Sequence, residues 1–179
     1  MFYCFLADGF EETEALAPVD ILRRADIPVT TVGVGGGVIR GSHNIYVKAD
    51  MTADEFEINE DISGVILPGG MPGVKNLDAD ETVRDAVSFC ISRGLFVCAI
   101  CAAPSVLGHM GVLAGKKATC FPGFEDELLG ADVRTDKVVT DGNIITAKGA
   151  GCALDFGFEI VAQVEGRVKA ERIASSMQI

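Results

Sequence analysis

The hydrophobic and polar positions of this chain fall into two alternating patterns. Continuous apolar runs at Phe2–Ala7, Gly64–Leu67 and residues 95–100 predict strands that are buried on both faces of a parallel sheet. Between these runs, apolar residues recur every three or four positions, which predicts helices with one buried face at residues 11–24 and 83–91. Strands and helices that alternate in this way predict a doubly wound α/β sandwich.

The remaining elements follow from the same patterns and from turn residues. Shorter strands are predicted at residues 28–34, 38–48, 116–119, 137–140 and 143–146. Asp141-Gly142 is a hairpin turn signal between the last two. A capping box is expected at Asp78 and Glu81, with a helix stop at Gly94. The chain is predicted to close with a helix at 152–163 and a second helical segment at 167–177.

Two of these helices are expected to bury a defined set of side chains. The first set is Ala15, Leu16, Val19 and Leu22, with Pro18 early in the helix. The second set, in the closing helix, is Leu154, Phe158, Val161 and Ala162.

Length and composition agree with one domain over residues 1–179. The chain is 49% hydrophobic and 23% charged, as in ordinary globular proteins. No apolar run approaches the roughly 18 to 20 residues of a membrane span, and the opening MFYCFLADGFEE lacks the basic region of a signal peptide. We therefore expect a cytoplasmic protein without membrane contact. A formal net charge of −11 also opposes nucleic acid binding.

The six cysteines raise the question of disulfides or a metal site. Four of them lie in apolar stretches and are expected to be small buried hydrophobes: Cys4, Cys90, Cys98 and Cys152. Cys98 and Cys101 form a C-x-x-C, which allows a redox-pair interpretation, but Cys98 falls inside a predicted strand and a turn separates the two. With two histidines and no second cysteine pair at zinc-finger spacing, no metal is predicted.

Three loops are predicted to meet at the carboxyl edge of the sheet, where open α/β sheets bind ligands. They carry Glu11, Glu12 and Glu14 after the first strand, Gly69 and Gly70 after a central strand, and Cys101 after residues 95–100. A cysteine at a sharp strand-to-helix turn is pushed outwards and lies beside a helix N-terminus, which favours the thiolate. The amides of Gly70 and Ala102 are then placed to hold an anionic oxygen.

Glu14 is the expected partner of Cys101, because a desolvated carboxyl stays protonated and can share its proton with a thiolate. Both side chains also have plainer interpretations. Cys101 can be one more small buried residue, and the three glutamates of this segment can form a solvated first helical turn that complements the helix dipole. The residue types alone leave these alternatives open.

The segments ADGFEETEA, LPGG and AICAAPSVL together resemble the ThiJ/PfpI superfamily, and within it the parkinsonism-associated deglycase (DJ-one-like) branch. ATCFPGFED and TAKGAG also fit, so the resemblance covers essentially the full length. It implies a flavodoxin-like, three-layer sandwich with a mostly parallel central sheet, usually a homodimer, with no cofactor. It also implies a redox-sensitive nucleophile, Cys101, hydrogen-bonded to a protonated Glu14, with the backbone of Gly69, Gly70 and Ala102 at the oxyanion position.

Two positions depart from relatives of this kind. Ala102 stands where protease-like members have a histidine after the nucleophile, so neither a peptidase nor a Cys-His-Glu glutaminase is expected. Phe121 stands where the human-type protein has a histidine, so no histidine base is evident beside Cys101. His43, in a segment near the dimer contact of relatives, is a candidate to line the pocket with Phe121 and Pro122. His109 is expected to be structural.

Two functions remain open at this point. As an enzyme of the glyoxalase III or deglycase kind, Cys101 would add to a small 2-oxoaldehyde, Glu14 would relay protons, and water would release a 2-hydroxy acid. As a non-enzymatic oxidative-stress sensor or redox-regulated chaperone, Cys101 would be oxidised by peroxide to sulfenic and then sulfinic acid. Relatives also carry a thiamine (hydroxyethylthiazole phosphate) biosynthesis label, which names no mechanism. We favour the enzyme, with slow turnover.

Overall fold

The structure, a computed structural model, describes residues 1–179. Its strands are β1 Phe2–Ala7, β2 Val29–Val34, β3 Val38–Arg40, β4 Tyr46–Lys48, β5 Met51–Thr52, β6 Gly64–Leu67, β7 Phe96–Ile100, β8 Lys117–Ala118, β9 Asp132–Val133, β10 Val138–Asp141 and β11 Ile144–Ala147. Its helices are α1 Glu12–Arg24, α2 Gly73–Ala79, α3 Glu81–Arg93, α4 Pro104–His109, α5 Ala153–Glu165 and α6 Arg167–Ser176. None of these helices is long and apolar enough to cross a membrane.

A seven-stranded sheet runs through the molecule in the order β10-β11-β7-β6-β1-β2-β5. Its strand pairs are parallel except β10–β11, which is the predicted antiparallel hairpin closed between Asp141 and Ile144. From β1 the chain first builds outwards through β2 and later returns to place β6 on the other side of β1. Such a switch point is where open α/β sheets form a ligand-binding crevice beyond the carboxyl ends of their strands.

The two faces of the sheet are covered by different helices, as β1 illustrates. Phe2, Cys4 and Leu6 point into a cluster of 23 buried residues that includes side chains of α1 and α5. The alternate residues Tyr3, Phe5 and Ala7 point into a cluster of 25 buried residues that includes side chains of α2, α3 and α4. Helices therefore sandwich a mostly parallel sheet, and the predicted three-layer, flavodoxin-like architecture is confirmed.

Some local predictions were wrong. The strand predicted at 116–119 is only the two-residue β8, which pairs with β9 in a separate small sheet. The N-cap of α3 is Asp80, whose side chain accepts a hydrogen bond from the Val83 N–H at 3.0 Å. Asp78, expected to cap that helix, instead accepts hydrogen bonds from Arg84 and pairs with His109.

The buried faces of two helices also differ from prediction, since Leu16 and Leu154 are 37% and 39% exposed. In α5 the buried residues are Ala153, Phe156, Gly157, Ile160 and Val161. Gly157 allows a close crossing with α1, because a Cβ there would lie 2.7 Å from Ile21 Cδ1 and 3.1 Å from Pro18 Cα. Because α1 and α5 cross most closely at Gly157, the side of α5 that carries Gly157 is the buried side.

Candidate active site

Cys101 lies at the turn between β7 and α4, at the carboxyl edge of the sheet. Its φ of 66° is a left-handed conformation, which is uncommon and costly for a residue with a Cβ. Two backbone hydrogen bonds hold it there: its N–H donates to the Ala147 carbonyl and its carbonyl accepts from the Phe121 N–H, both at 2.8 Å. This strand-to-helix turn has the form of a nucleophile elbow.

Glu14 reaches the same place from the first turn of α1. Glu11 caps that helix, and its carboxylate accepts a hydrogen bond from the Glu14 N–H at 2.7 Å. The Glu14 side chain is buried and hydrogen-bonded to the Cys101 thiol, while its Oε2 accepts from the Gly69 N–H at 3.0 Å. The Ala150 N–H is a further donor to this carboxyl. Glu14 is therefore not part of a solvated helical turn.

Gly69 is required by the close approach of this pair. A Cβ at this position would collide with the Glu14 carboxylate and would lie 3.0 Å from Cys101 Sγ. Because its own N–H is engaged by Glu14, Gly69 does not have the free amide that an oxyanion donor needs. The amides of Gly70 and Ala102 instead hydrogen-bond the sulfur of Cys101.

The two side chains of the pair affect each other's ionisation. Burial raises the pKa of the Glu14 carboxyl to about 7, with repulsion from Glu11 adding to it, against hydrogen bonds from Cys101, Gly69 and Ala150. Burial and then the charge of Glu14 raise the pKa of the Cys101 thiol to about 12, against the amides of Ala102 and Gly70. Within this coupled pair, an ionised Glu14 disfavours the thiolate form of Cys101. Activation of the sulfur depends on the adjacent carboxyl.

Glu12 and His43 form a separate group on the outer side of α1. The Glu12 carboxylate accepts hydrogen bonds from the His43 N–H at 2.8 Å and the Ile45 N–H at 3.4 Å, and pairs with His43 Nδ1 at 2.9 Å. Burial opposes the charge of Glu12, but these bonds hold its pKa at about 2. The His43 side chain is 70% exposed and contacts Glu12 rather than the Cys101–Glu14 pair of its own chain.

Glu11, Glu12 and His43 are also the residues with metal-ligand character, since their ligand atoms lie within 4.8 Å of one another. The Glu12 oxygens already accept the hydrogen bonds of the 42–45 loop, including one from Ser42 Oγ at 3.3 Å. The group is therefore explained as the anchor of that loop on α1.

A pocket of about 430 Å³ is lined by neither Cys101 nor Glu14 but adjoins them through Ala150, whose N–H donates to Glu14. It is lined by Phe121, Pro122, Lys137, Lys148, Gly149, Ala150, Gly151 and Cys152. Phe121 and Pro122 were expected there; His43 was also expected but does not line the pocket of its own chain, whereas the lysines and the 149–152 turn were missed. The TAKGAG segment was visible as a motif, but nothing in its spacing indicates that it faces the end of β7.

The other five cysteines are buried free thiols, and Cys101 alone is partly exposed. Cys98 faces the cluster under α1 and α5, where burial raises its pKa well above the usual range. It therefore does not form a redox pair with Cys101.

The chain is similar to known proteins over nearly its whole length. A sequence model of the DJ-1/PfpI family matches residues 2–163. The protein dj-1beta of Drosophila melanogaster is 34% identical over 97% of this chain and 94% of its own length. A protein named as a deglycase from Pyrococcus abyssi is 31% identical over 81% of this chain and 87% of its own. Among solved structures, oxidized Toxoplasma gondii DJ-1 superposes with a TM-score of 0.94 at 28% identity, covering 99% of this chain and 97% of that one.

Proposed function

This chain belongs to the DJ-1/PfpI family, in its DJ-1-like branch, and from that premise we propose that it converts small 2-oxoaldehydes to 2-hydroxy acids. The observation that carries the proposal is the hydrogen-bonded pair of Cys101 and Glu14 at the carboxyl edge of the sheet. A carboxyl with a pKa of about 7 is suited to accept and return protons at neutral pH. The deglycase name of the Pyrococcus abyssi relative is consistent with chemistry on carbonyl compounds.

The first step is addition of the sulfur to the aldehyde carbon. As the S–C bond forms, Glu14 takes the thiol proton, and the aldehyde C=O becomes an oxyanion that is then protonated to a hemithioacetal. Burial and the charge of Glu14 raise the pKa of the thiol, so moving the thiol proton onto Glu14 as the S–C bond forms is what makes the sulfur nucleophilic. The amides of Gly70 and Ala102, which point at the sulfur, lie beside the position where the oxyanion develops.

The second step moves two electrons within the substrate. A base removes the hydrogen on the former aldehyde carbon, and a proton returns to the neighbouring ketone carbon through an enediol. The first carbon is thereby oxidised to a thioester and the second reduced to an alcohol. Glu14 is the group placed to carry these protons, because it is buried against the sulfur. Water then cleaves the thioester, which releases the 2-hydroxy acid and restores the thiol.

Turnover of methylglyoxal tests this proposal. Cys101→Ser and Glu14→Gln are each expected to lower kcat/KM at least about 100-fold, the usual scale for general acid–base catalysis. The matched control is Cys90→Ala, which removes a buried thiol of α3 and is expected to keep activity. Wild-type kcat/KM is expected to rise as pH increases through about 7, where Glu14 ionises. Unchanged turnover in Cys101→Ser would sink the mechanism.

A second candidate function is oxidation sensing at the same sulfur, with or without chaperone activity. It is favoured by the exposure of the cysteines, since peroxide reaches Cys101 more readily than the five buried thiols. The similar Toxoplasma gondii structure is described as oxidized. Stoichiometric formation of sulfinic acid at Cys101 without aldehyde turnover, measured by mass spectrometry, would favour this function over the enzyme.

We also propose that the protein forms a homodimer through the β3–β4 hairpin and α1. Exposed apolar side chains cluster on these elements: Leu16, Val38, Ile45 and Tyr46. Ile45 lies against the first turn of α1, because its N–H donates to Glu12 at 3.4 Å. In such a dimer His43, which is exposed in one chain, lies at the edge of the interface and is placed to approach the partner's pocket. Sedimentation of Tyr46→Glu against wild type tests this contact.

A further inference from the structure

The pocket beside Cys101 has an unusual charge for this protein. Two of the eight residues that line it are lysines and none is acidic, although the chain has a formal net charge of −11. The groove of about 450 Å³ along α6 gives a contrast, because Lys137 and Arg167 there face four acidic residues. Those acidic residues are Asp136, Asp155, Glu159 and Glu171. The pocket beside Cys101 is thus a positive site on an acidic surface.

Of the two lysines that line this pocket, Lys148 has the positive charge that is less neutralised by its neighbours. Its ammonium has no carboxylate within 4 Å, and its one hydrogen bond is to the Thr135 carbonyl at a long 3.4 Å. Lys137, the second lysine, is 3.5 Å from Asp155, but both side chains of that pair are at least half exposed. An exposed pair of this kind contributes little, so Lys137 remains able to turn towards an anion in the pocket.

The pocket wall is continuous with the reacting pair. Lys148 directly follows Ala147, whose carbonyl accepts the Cys101 N–H at 2.8 Å. Gly149 comes next, and a Cβ at that position would lie 3.8 Å from Glu14 Oε1. Phe121 adjoins this turn, because a Cβ at Gly149 would lie 3.2 Å from Phe121 Cδ2, and Phe121 donates its N–H to the Cys101 carbonyl. A molecule whose carbonyl carbon is at the sulfur therefore has its other end beside the wall formed by Phe121 and Gly149, next to Lys148.

Building on the function proposed above, we infer that this pocket binds an anionic group of the substrate, and that Lys148 is a specificity-determining residue. The preferred substrates are then 2-oxoaldehydes that carry a carboxylate or phosphate a few bonds from the reacting carbonyl. The half-exposed ring of Phe121 and the ring of Pro122 provide an apolar surface for the carbon chain between the two ends. Methylglyoxal, which has no anionic group, leaves the lysines unused.

The first experiment compares three substrates: neutral methylglyoxal, 4,5-dioxopentanoate with its carboxylate, and the phosphate ester of hydroxypyruvaldehyde. We expect KM for the anionic substrates to rise about tenfold in Lys148→Met, the scale of one lost charge-assisted contact, with kcat and all constants for methylglyoxal unchanged. Lys148→Arg should retain the preference. Lys75→Met removes an exposed lysine of α2 and serves as the matched control. Whichever anion shows the larger change identifies the group that the pocket recognises.

The second experiment does not depend on turnover. Iodoacetate and iodoacetamide differ by one negative charge, and their rates at Cys101 are measured by mass spectrometry of the labelled peptide. The ratio of the iodoacetate rate to the iodoacetamide rate is expected to fall several-fold in Lys148→Met and to be unchanged in Lys75→Met. Because the ratio is compared between variants, the constant repulsion from Glu14 cancels.

The outcomes separate the two proposals. If the alkylation ratio falls but no aldehyde is turned over, the anion site stands and the enzymatic function fails. If aldehydes are turned over but Lys148→Met changes neither the ratio nor the relative KM values, the anion site is overturned and the enzyme stands. An equal loss with methylglyoxal and with the anionic aldehydes would also overturn it, because that pattern indicates damage to the pair rather than lost recognition.

Discussion

Glu12 and Glu14 lie two residues apart in one helical turn, and both are buried, yet their ionisation is displaced in opposite directions. The pKa of Glu12 is lowered to about 2 and that of Glu14 is raised to about 7. The difference follows from the surroundings: burial, and then the charge of Glu11, raise the pKa of Glu14, whereas several donors from the 42–45 loop, including a histidine, outweigh the burial of Glu12. The same residue type thus serves as an anchor at one position and as a candidate proton carrier at the other.

The raised pKa of Glu14 has a consequence for stability. A carboxyl that holds its proton more tightly in the folded state than in the unfolded state, where 4.5 is its usual value, stabilises the fold at low pH. This contribution is lost as pH rises from about 4.5 through about 7. We expect wild type to lose about 3 kcal/mol relative to Glu14→Gln over that interval, measured by urea unfolding at several pH values.

The matched control for this experiment is Ser92→Ala, which changes an exposed residue of α3 and removes no ionisable group. Its stability difference from wild type should stay nearly constant over the same interval. A Glu14→Gln difference that is also independent of pH would show that Glu14 ionises in the folded protein as it does in the unfolded chain.

Among the elements, α4 is joined by one histidine side chain to two neighbouring segments. His109 Nδ1 lies 2.7 Å from Asp78 Oδ2 in α2, and Nε2 lies 2.7 Å from Glu127 Oε2 in the segment after Phe121 and Pro122. Both contacts need an N–H, so the ring makes them together only as imidazolium. Glu127, and then Asp78, raise the pKa of His109 accordingly. The expectation that His109 is structural agrees with these contacts.

This bridge is expected to weaken in alkaline solution. Its contribution is fully present below about pH 6.5, the usual histidine pKa, and is lost as pH rises through the raised pKa of the folded state. Since the histidine is partly exposed, we expect wild type to lose only about 1 kcal/mol relative to His109→Gln between pH 6 and pH 9. Protection of residues 125–127 from hydrogen exchange, relative to the intrinsic rate at each pH, should fall over the same range in wild type alone. If wild type and His109→Gln change equally in stability and in exchange over this range, the two contacts of His109 do not stabilise the fold.

The crossing of α1 and α5 is a second feature at this scale. Gly157→Val is expected to cost about 2 kcal/mol, because the added carbons meet Ile21 and the Pro18 backbone in a packed interface. For a chain of this length that corresponds to a fall in Tm of about 4 to 8 °C by thermal unfolding. Leu154→Ala, on the exposed side of the same helix, should change Tm little. A Gly157→Val protein as stable as wild type would show that the helices can separate freely.

At the scale of the whole molecule, the sequence predicted which segments form strands and helices better than it predicted which side of each helix is buried. The buried strands were readable because β6 and β7 are continuous apolar runs covered on both sides. Leu16 and Leu154 were misplaced because hydrophobicity alone does not report where Gly157 draws two helices together. Asp80 was missed as a cap because Asp78 and Glu81 have the spacing of a capping box, and because the short α2, which ends immediately before Asp80, was not predicted.

The same limit applies to the candidate site. Cys101 and Glu14 follow strands that were readable, and the rule that loops meet at the carboxyl edge brings them together. The shifted pKa values of Glu14 and Cys101 could not be predicted from the sequence, since they depend on burial and on the donors around each atom. Lys148 was missed because its relevance arises only from the backbone contact between Ala147 and Cys101, which joins β11 to the end of β7.

The residues around the sulfur come from five separate stretches of chain, those holding Glu14, Gly69, Cys101, Phe121 and Gly149. Because these stretches are far apart in the sequence, they come together only when nearly the entire polypeptide is folded. When heat or misfolding opens the sheet, Cys101 becomes an ordinary solvated thiol without a proton acceptor. The rate at which Cys101 is labelled therefore reports the fraction of folded protein. It can be measured in a lysate without purifying the protein.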